Sequence, residues 1–258
     1  MTAATLLKLA LVPLAVWLAS LAARKWGHAV SGYLGGFPLI GGPITLFLAI
    51  DLGPEFAAKS ALVTMAAVAG QAAHLTTFSF VGRRAGVVAG LLAGWCLYGL
   101  VGGGAGQLVV AVAGVSAPLV ALAFAAGGLL IAFLVLPRPA GAASMPAIPP
   151  VELWLRLGAA LALATAILLG AQVLGPVVSG ILLSVPITGS IMPPFTLALY
   201  GPDALARLLR GFVTGLTGFT AFFLVVSTTL VPLGIAPAFG LAVLAALGAV
   251  TVMRKVAR

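Results

Sequence analysis

The residues of this chain with the means to do chemistry are helix breakers and hydroxyls rather than acids or nucleophiles. The run Gly35-Gly36-Phe37-Pro38-Leu39-Ile40-Gly41-Gly42-Pro43, with Thr45 just beyond it, lies inside Val30 to Pro54, an apolar stretch long enough to cross a bilayer. A second run, Pro186-Ile187-Thr188-Gly189-Ser190-Ile191-Met192-Pro193-Pro194, lies inside Val178 to Pro202. Each proline removes a backbone donor and crowds the preceding turn, and each glycine costs a helix about 1 kcal/mol relative to alanine. Backbone groups freed at that depth are tolerable only where protein or a water-filled cavity satisfies them. Half-helix N-termini attract anions, and freed carbonyls hold cations. The chemistry expected is therefore recognition of a solute. Pro38, Gly41, Gly42, Pro43, Thr45, Pro186, Thr188, Gly189, Ser190 and Pro193 are the candidate binding residues.

Gln71 and His74 join that set. Three residues apart, they share one helix face, and an ionisable residue inside a membrane is a functional candidate by default. The alternative for His74 is a hydrogen-bonded packing role. Thr214, Thr217 and Thr220, interleaved with Gly211, Gly215 and Gly218, suit close helix packing or the lining of a pathway.

The two broken stretches are copies. Sliding the chain by 148 residues pairs Val30-Ser31-Gly32 with Val178-Ser179-Gly180, Pro38 with Pro186, Gly41 with Gly189 and Gly53-Pro54 with Gly201-Pro202; ten of thirty positions are identical. A fixed-offset echo marks a duplicated structural unit. The offset also pairs Leu7-Lys8-Leu9 with Leu155-Arg156-Leu157, so the N-terminal apolar run is expected to be a retained helix rather than a cleaved leader.

The elements that must position these runs follow from composition. The 258 residues are 62% hydrophobic and 7% charged, against about 25% charged in ordinary globular domains. The expected class is an all-α polytopic membrane protein. Nine spans are expected, at about Thr5–Ala23, Gly27–Ile50, Glu55–Val81, Ala85–Val101, Ala117–Leu136, Val151–Gly170, Pro176–Tyr200, Asp203–Leu230 and Ile235–Met253. The second and seventh are the broken ones. Gly102 to Gly106 is read as a break, and Gln107 to Gly114 as a short interfacial piece. Pro137 to Pro150 is the one linker-like segment and divides residues 1–136 from 151–258.

The net charge of +9 does not point to nucleic acid, because the basic residues stand in ones and twos between apolar spans. Arg24 and Lys25, Arg83 and Arg84, Arg138 and Arg156, Arg207 and Arg210, and Arg254 and Lys255 occupy every second loop. The positive-inside rule then sets the N-terminus outside and the linker and C-terminus in the cytoplasm, in an inner membrane. Five crossings separate each element from its copy, an odd number, so the units are expected to be inverted, five spans plus four.

Absences narrow the function. Asp51, Glu55, Glu152 and Asp203 all stand at span ends, leaving no carboxylate at mid-span for cation coupling or acid–base catalysis. No hydrolase, phosphate-loop or metal motif occurs, and the single Cys96 offers no disulfide. No cofactor or metal is expected. Gly82, Gly86, Gly90 and Gly94 form a ridge of small residues for close helix approach, within the bundle or between two copies. The expected function is a small secondary transporter or facilitator in the lipid bilayer, moving a small neutral or anionic solute. The alternative is a non-transport membrane protein that handles lipid or serves a membrane complex.

Overall fold

The computed structural model describes residues 3–112, 114, 116–140 and 149–256, with side chains described for all of these but 3–7, 19 and 22–27. Every element among them is helical. The order is α1 (Ala3–Gly35), α2 (Gly41–Leu52), α3 (Pro54–Ala66), α4 (Val68–Thr77), a π-helical turn at Phe78–Gly82, α5 (Arg83–Ala85), α6 (Val87–Leu97), a second π-turn at Tyr98–Gly102, α7 (Gly103–Ala111) and α8 (Ala117–Val135). After the seam come α9 (Pro150–Leu183), α10 (Ile187–Leu233) and α11 (Ile235–Val256).

Five helical stretches among the described residues are long and apolar enough to cross a membrane: Pro54–Ala85, Val87–Ala111, Ala117–Val135, Ile235–Val256 and the region Pro150–Leu233, which Ser184–Pro186 interrupts. They differ in burial. In Pro54–Ala85 78% of the apolar window is inside the protein, against 22% in Val87–Ala111 and Ala117–Val135. The first is thus a central element, and the others turn Val88, Leu92, Leu100, Leu119 and Leu134 outward. Such broad apolar exposure suits lipid as the solvent.

Glycine followed by proline makes the sharp turns. Gly53 (φ 93°, ψ 162°) precedes Pro54, and Gly201 (φ 77°, ψ −173°) precedes Pro202. Glycine takes the positive φ without strain, and proline starts the next helix with no donor to lose. Gly86 (φ 89°) and Gly234 (φ 81°) turn the chain again at the same offset of 148 residues.

Packing between the halves is reciprocal. α1 packs on α10, and α9 packs on α3. At the tightest points a Cβ on Gly32 would strike the Leu208 carbonyl oxygen, and one on Gly180 would strike the Ser60 carbonyl oxygen. These two contacts are themselves 148 residues apart in both partners. Leu205, Leu208, Leu209, Leu216, Phe223 and Leu230 of α10 form much of the core with Met65, Leu75 and Phe78.

Three expectations are corrected. Gly102–Gly106 is not a break: the second π-turn carries the helix straight into α7, and Gln107 belongs to α7 rather than to an interfacial piece. In lipid the backbone has no water to turn to, so glycine alone does not open a helix, and a surplus residue is absorbed as a π-turn. The helix stops at Val112, which is non-helical, ahead of Gly114 (φ 94°). Pro193 and Pro194 do not open the second stretch, for they lie inside α10. The expected boundary at Arg24 and Lys25 falls within α1. Of the seam, residues 141–148 lie outside the described residues, and Pro137–Ala140 is irregular. Two glycines of the ridge, Gly90 and Gly94, pack within the chain, while Gly86 has nothing within 4 Å of its Cβ position. A Cβ on Gly90 would meet Gly82, and one on Gly94 would meet His74.

Candidate functional site

Both stretches do break, each at the first proline of its run rather than at the later ones. The first interruption covers Gly36–Ile40 and the second Ser184–Pro186. Gly41, Gly42 and Pro43 already belong to the first turn of α2, as Thr188, Gly189 and Ser190 belong to the first turn of α10.

The freed carbonyls of the second break are claimed by side chains from the other helices. Thr64 donates to the Gly180 carbonyl at 2.9 Å, Tyr98 to Ile181 at 2.6 Å, and Gln71 Nε2 to Ser184 at 2.6 Å. Tyr98 also meets the Ser184 hydroxyl at 2.8 Å. The fourth acceptor is Gly189, whose carbonyl oxygen is 3.3 Å from His74 Nε2. In a regular helix that carbonyl would take the N–H of residue 193, which is proline. A carbonyl only accepts, so His74 Nε2 is assigned the proton.

The first break is closed differently. Its own backbone makes short turns, Leu39 N–H to Phe37 at 2.7 Å and Gly42 N–H to Pro38 at 2.9 Å. Around it stand Phe212, Phe219, Phe222 and Phe223, at the positions that match Thr64, Gln71, His74 and Leu75 of the other half. A Cβ on Gly41 would be 3.1 Å from the Phe223 ring, and one on Gly42 3.4 Å from Phe222. One break is thus held by hydrogen bonds and its copy by aromatic packing.

Between them lies a cavity of about 60 Å³, well above the ~10–15 Å³ needed to admit a water. Gly35, Gly36, Phe37, Leu39, Ile40 and Gly41 wall it from the first break, and Val185, Pro186, Ile187, Thr188 and Gly189 from the second. Gln71 reaches it, as do Ser20, Ser31 and Arg156, with Phe212 and Phe219 among the apolar lining.

No family model, no curated protein and no solved structure matches the chain.

Of the expected binding residues, Gly41, Gln71, Pro186, Thr188 and Gly189 line this cavity. Pro38, Gly42, Pro43, Thr45, His74, Ser190 and Pro193 are not among its lining residues. Thr45 is buried and donates to its own helix at the Gly41 carbonyl, 2.7 Å away. His74 and Ser190 stand behind the wall, 3.2 Å apart at Nε2 and Oγ. That spacing resembles a hydroxyl and its base. With Nε2 donating to Gly189 and no carboxylate on Nδ1, the pair has neither the free lone pair nor the orienting acid that nucleophilic catalysis uses. Among the described residues no three His, Cys, Asp or Glu side chains come together as metal ligands.

Arg156, expected in a basic loop beside the seam, is instead 5% exposed. Its Nη2 pairs with Glu152, which is also 5% exposed, and its Nη1 lies 3.4 Å from Ser20 Oγ. The spacing of four from Glu152 was the sequence signal, since such pairs share a helix face. Its counterpart Lys8 pairs with Asp51 instead, in a more exposed setting of 21% and 42%.

Proposed function

We propose that this protein is a small secondary transporter or facilitator, carrying a small neutral or anionic solute through the cavity between its two helix breaks. The observation that carries the reading is that one cavity is walled by both breaks, each from a different half of the chain. Its size suits a solute of a few heavy atoms.

The reciprocal Gly32–Leu208 and Gly180–Ser60 approaches support two units exchanged by a twofold operation. Together with the basic residues at the helix ends, Arg83 and Arg84, Arg138, and Arg254 and Lys255, this favours an axis in the membrane plane, with the N-terminus outside and the C-terminus cytoplasmic. Inverted units with a shared midplane cavity are what alternating access requires, each unit able to take the conformation of the other. The difference between the two breaks suits such a motion. Hydrogen bonds fix the second break in direction, whereas the phenylalanine contacts around the first are non-directional and allow sliding.

The test is reconstitution of the purified chain in liposomes, with uptake of a panel of small neutral and anionic solutes. Saturable, protein-dependent flux of at least one is expected. Absence of flux across the panel contradicts the reading.

A further inference from the structure

We infer that the cavity is a binding site for a small organic monoanion, a short-chain monocarboxylate held at its head by Arg156. This rests on the transport reading for its physiological sense, but the site stands on its own geometry. Among the described residues walling the cavity, Arg156 is the one that carries charge. Its partner Glu152 is not part of the wall. The Glu152 carboxylate pairs with Nη2 from outside the wall and the Ser20 hydroxyl meets Nη1, so the guanidinium is held in place at the edge of the cavity it helps to line.

The guanidinium fork fits a carboxylate geometrically, with parallel N–H donors matching two oxygens. The hydroxyls of Ser20 and Ser31 and the amide of Gln71 add polar partners on the same wall. The rest of the lining is apolar, with Leu34, Ile40, Leu183, Val185, Met192 and Phe219 around it. A fully hydrated inorganic ion would have to give up its shell against these side chains, whereas an alkyl tail gains from them. No acid lines the cavity among the described residues, so a cation would find no carboxylate to meet it there. The small volume, about 60 Å³, favours a short alkyl chain over a long one.

The experiment is equilibrium dialysis of radiolabelled propionate against the full chain in detergent. Unlabelled acetate, butyrate, propionamide and chloride serve as competitors. Saturable binding is expected, displaced by acetate and butyrate and not by propionamide, the uncharged analogue, or by equimolar chloride. The double variant Glu152→Gln/Arg156→Gln leaves no buried charge unpaired and is expected to bind propionate about tenfold to a hundredfold more weakly, the value of a hydrogen bond to a charged group. Arg156→Lys should lie between the two. Equal displacement by propionamide or chloride, or wild-type affinity in the double variant, overturns the assignment. If the double variant does not fold, the competition on the unchanged protein still decides. Liposome flux of a neutral solute without propionate binding sinks this inference alone. Propionate binding with no flux of any solute sinks the transport reading and leaves the site in place.

Discussion

His74 supplies through space the donor that Pro193 withholds along the chain: its Nε2 stands 3.3 Å from the carbonyl oxygen of Gly189, four residues before that proline. The proline and the histidine lie in different halves, yet each accounts for the other. A proline inside α10 leaves a buried acceptor, and a buried acceptor without a donor costs about 1–3 kcal/mol.

This relationship predicts a coupling. His74→Ala alone is expected to destabilise by about 1–3 kcal/mol, because Gly189 loses its partner. In a Pro193→Ala background the new N–H can close the helical bond, so the same substitution should cost less. A double-mutant cycle on unfolding in detergent measures the difference. Strict additivity would show that the histidine serves some other purpose.

The close approaches between halves make a second prediction. Gly32→Ala and Gly180→Ala each drive a methyl into a carbonyl oxygen, Leu208 in one and Ser60 in the other. Each should destabilise by about 1–3 kcal/mol, the usual cost of overpacking, and the two losses should be alike. Gly86→Ala isolates a different effect, since nothing lies within 4 Å of its Cβ position. Its backbone (φ 89°, ψ 164°) lies in a region open essentially only to glycine, which should cost about 1–3 kcal/mol. Thermal unfolding of the three variants checks all of this; a neutral Gly32→Ala would mean that the helices are farther apart.

The ion pairs of the matched cations Lys8 and Arg156 should behave differently. Glu152→Gln removes the carboxylate from beside a guanidinium that is 5% exposed, and breaking a buried pair from one side costs about 3–5 kcal/mol. Asp51→Asn breaks the Lys8 pair, where the side chains are 21% and 42% exposed, and should cost about 0–1 kcal/mol. Equal losses would mean that both pairs see the same environment.

Much of this was legible from residue types and spacing. The 148-residue echo located both breaks, the matched glycine-proline turns and the pairing of Lys8 with Arg156 as equivalents. What composition could not show is which breaker breaks. Pro193 sits inside a helix because Gly189's orphaned carbonyl finds His74, a partner 115 residues away in sequence. Gly102 stays helical because leaving the helix in lipid costs more than glycine's conformational freedom returns. Arg156 was hidden by its neighbours, since a basic residue beside a proline-rich seam has the sequence character of a loop charge. Only the packing of α9 beside α1 turns it inward. The expectation that Thr45 faces the site missed a local competitor, the carbonyl one turn back in its own helix.

The central claim is that solute passes between the two breaks, and a side-by-side flux measurement tests it most directly. Purified wild type and Gly41→Leu, reconstituted in liposomes at equal density, are compared for uptake of small neutral and anionic solutes. Gly41 lines the cavity, and its Cβ position is 3.1 Å from the Phe223 ring, so leucine there must fill the space or push the aromatic wall across it. The expected result is flux in the wild type and its loss in the variant, with the variant still folded by its unfolding temperature. A folded Gly41→Leu protein that carries solute at the wild-type rate would contradict the route.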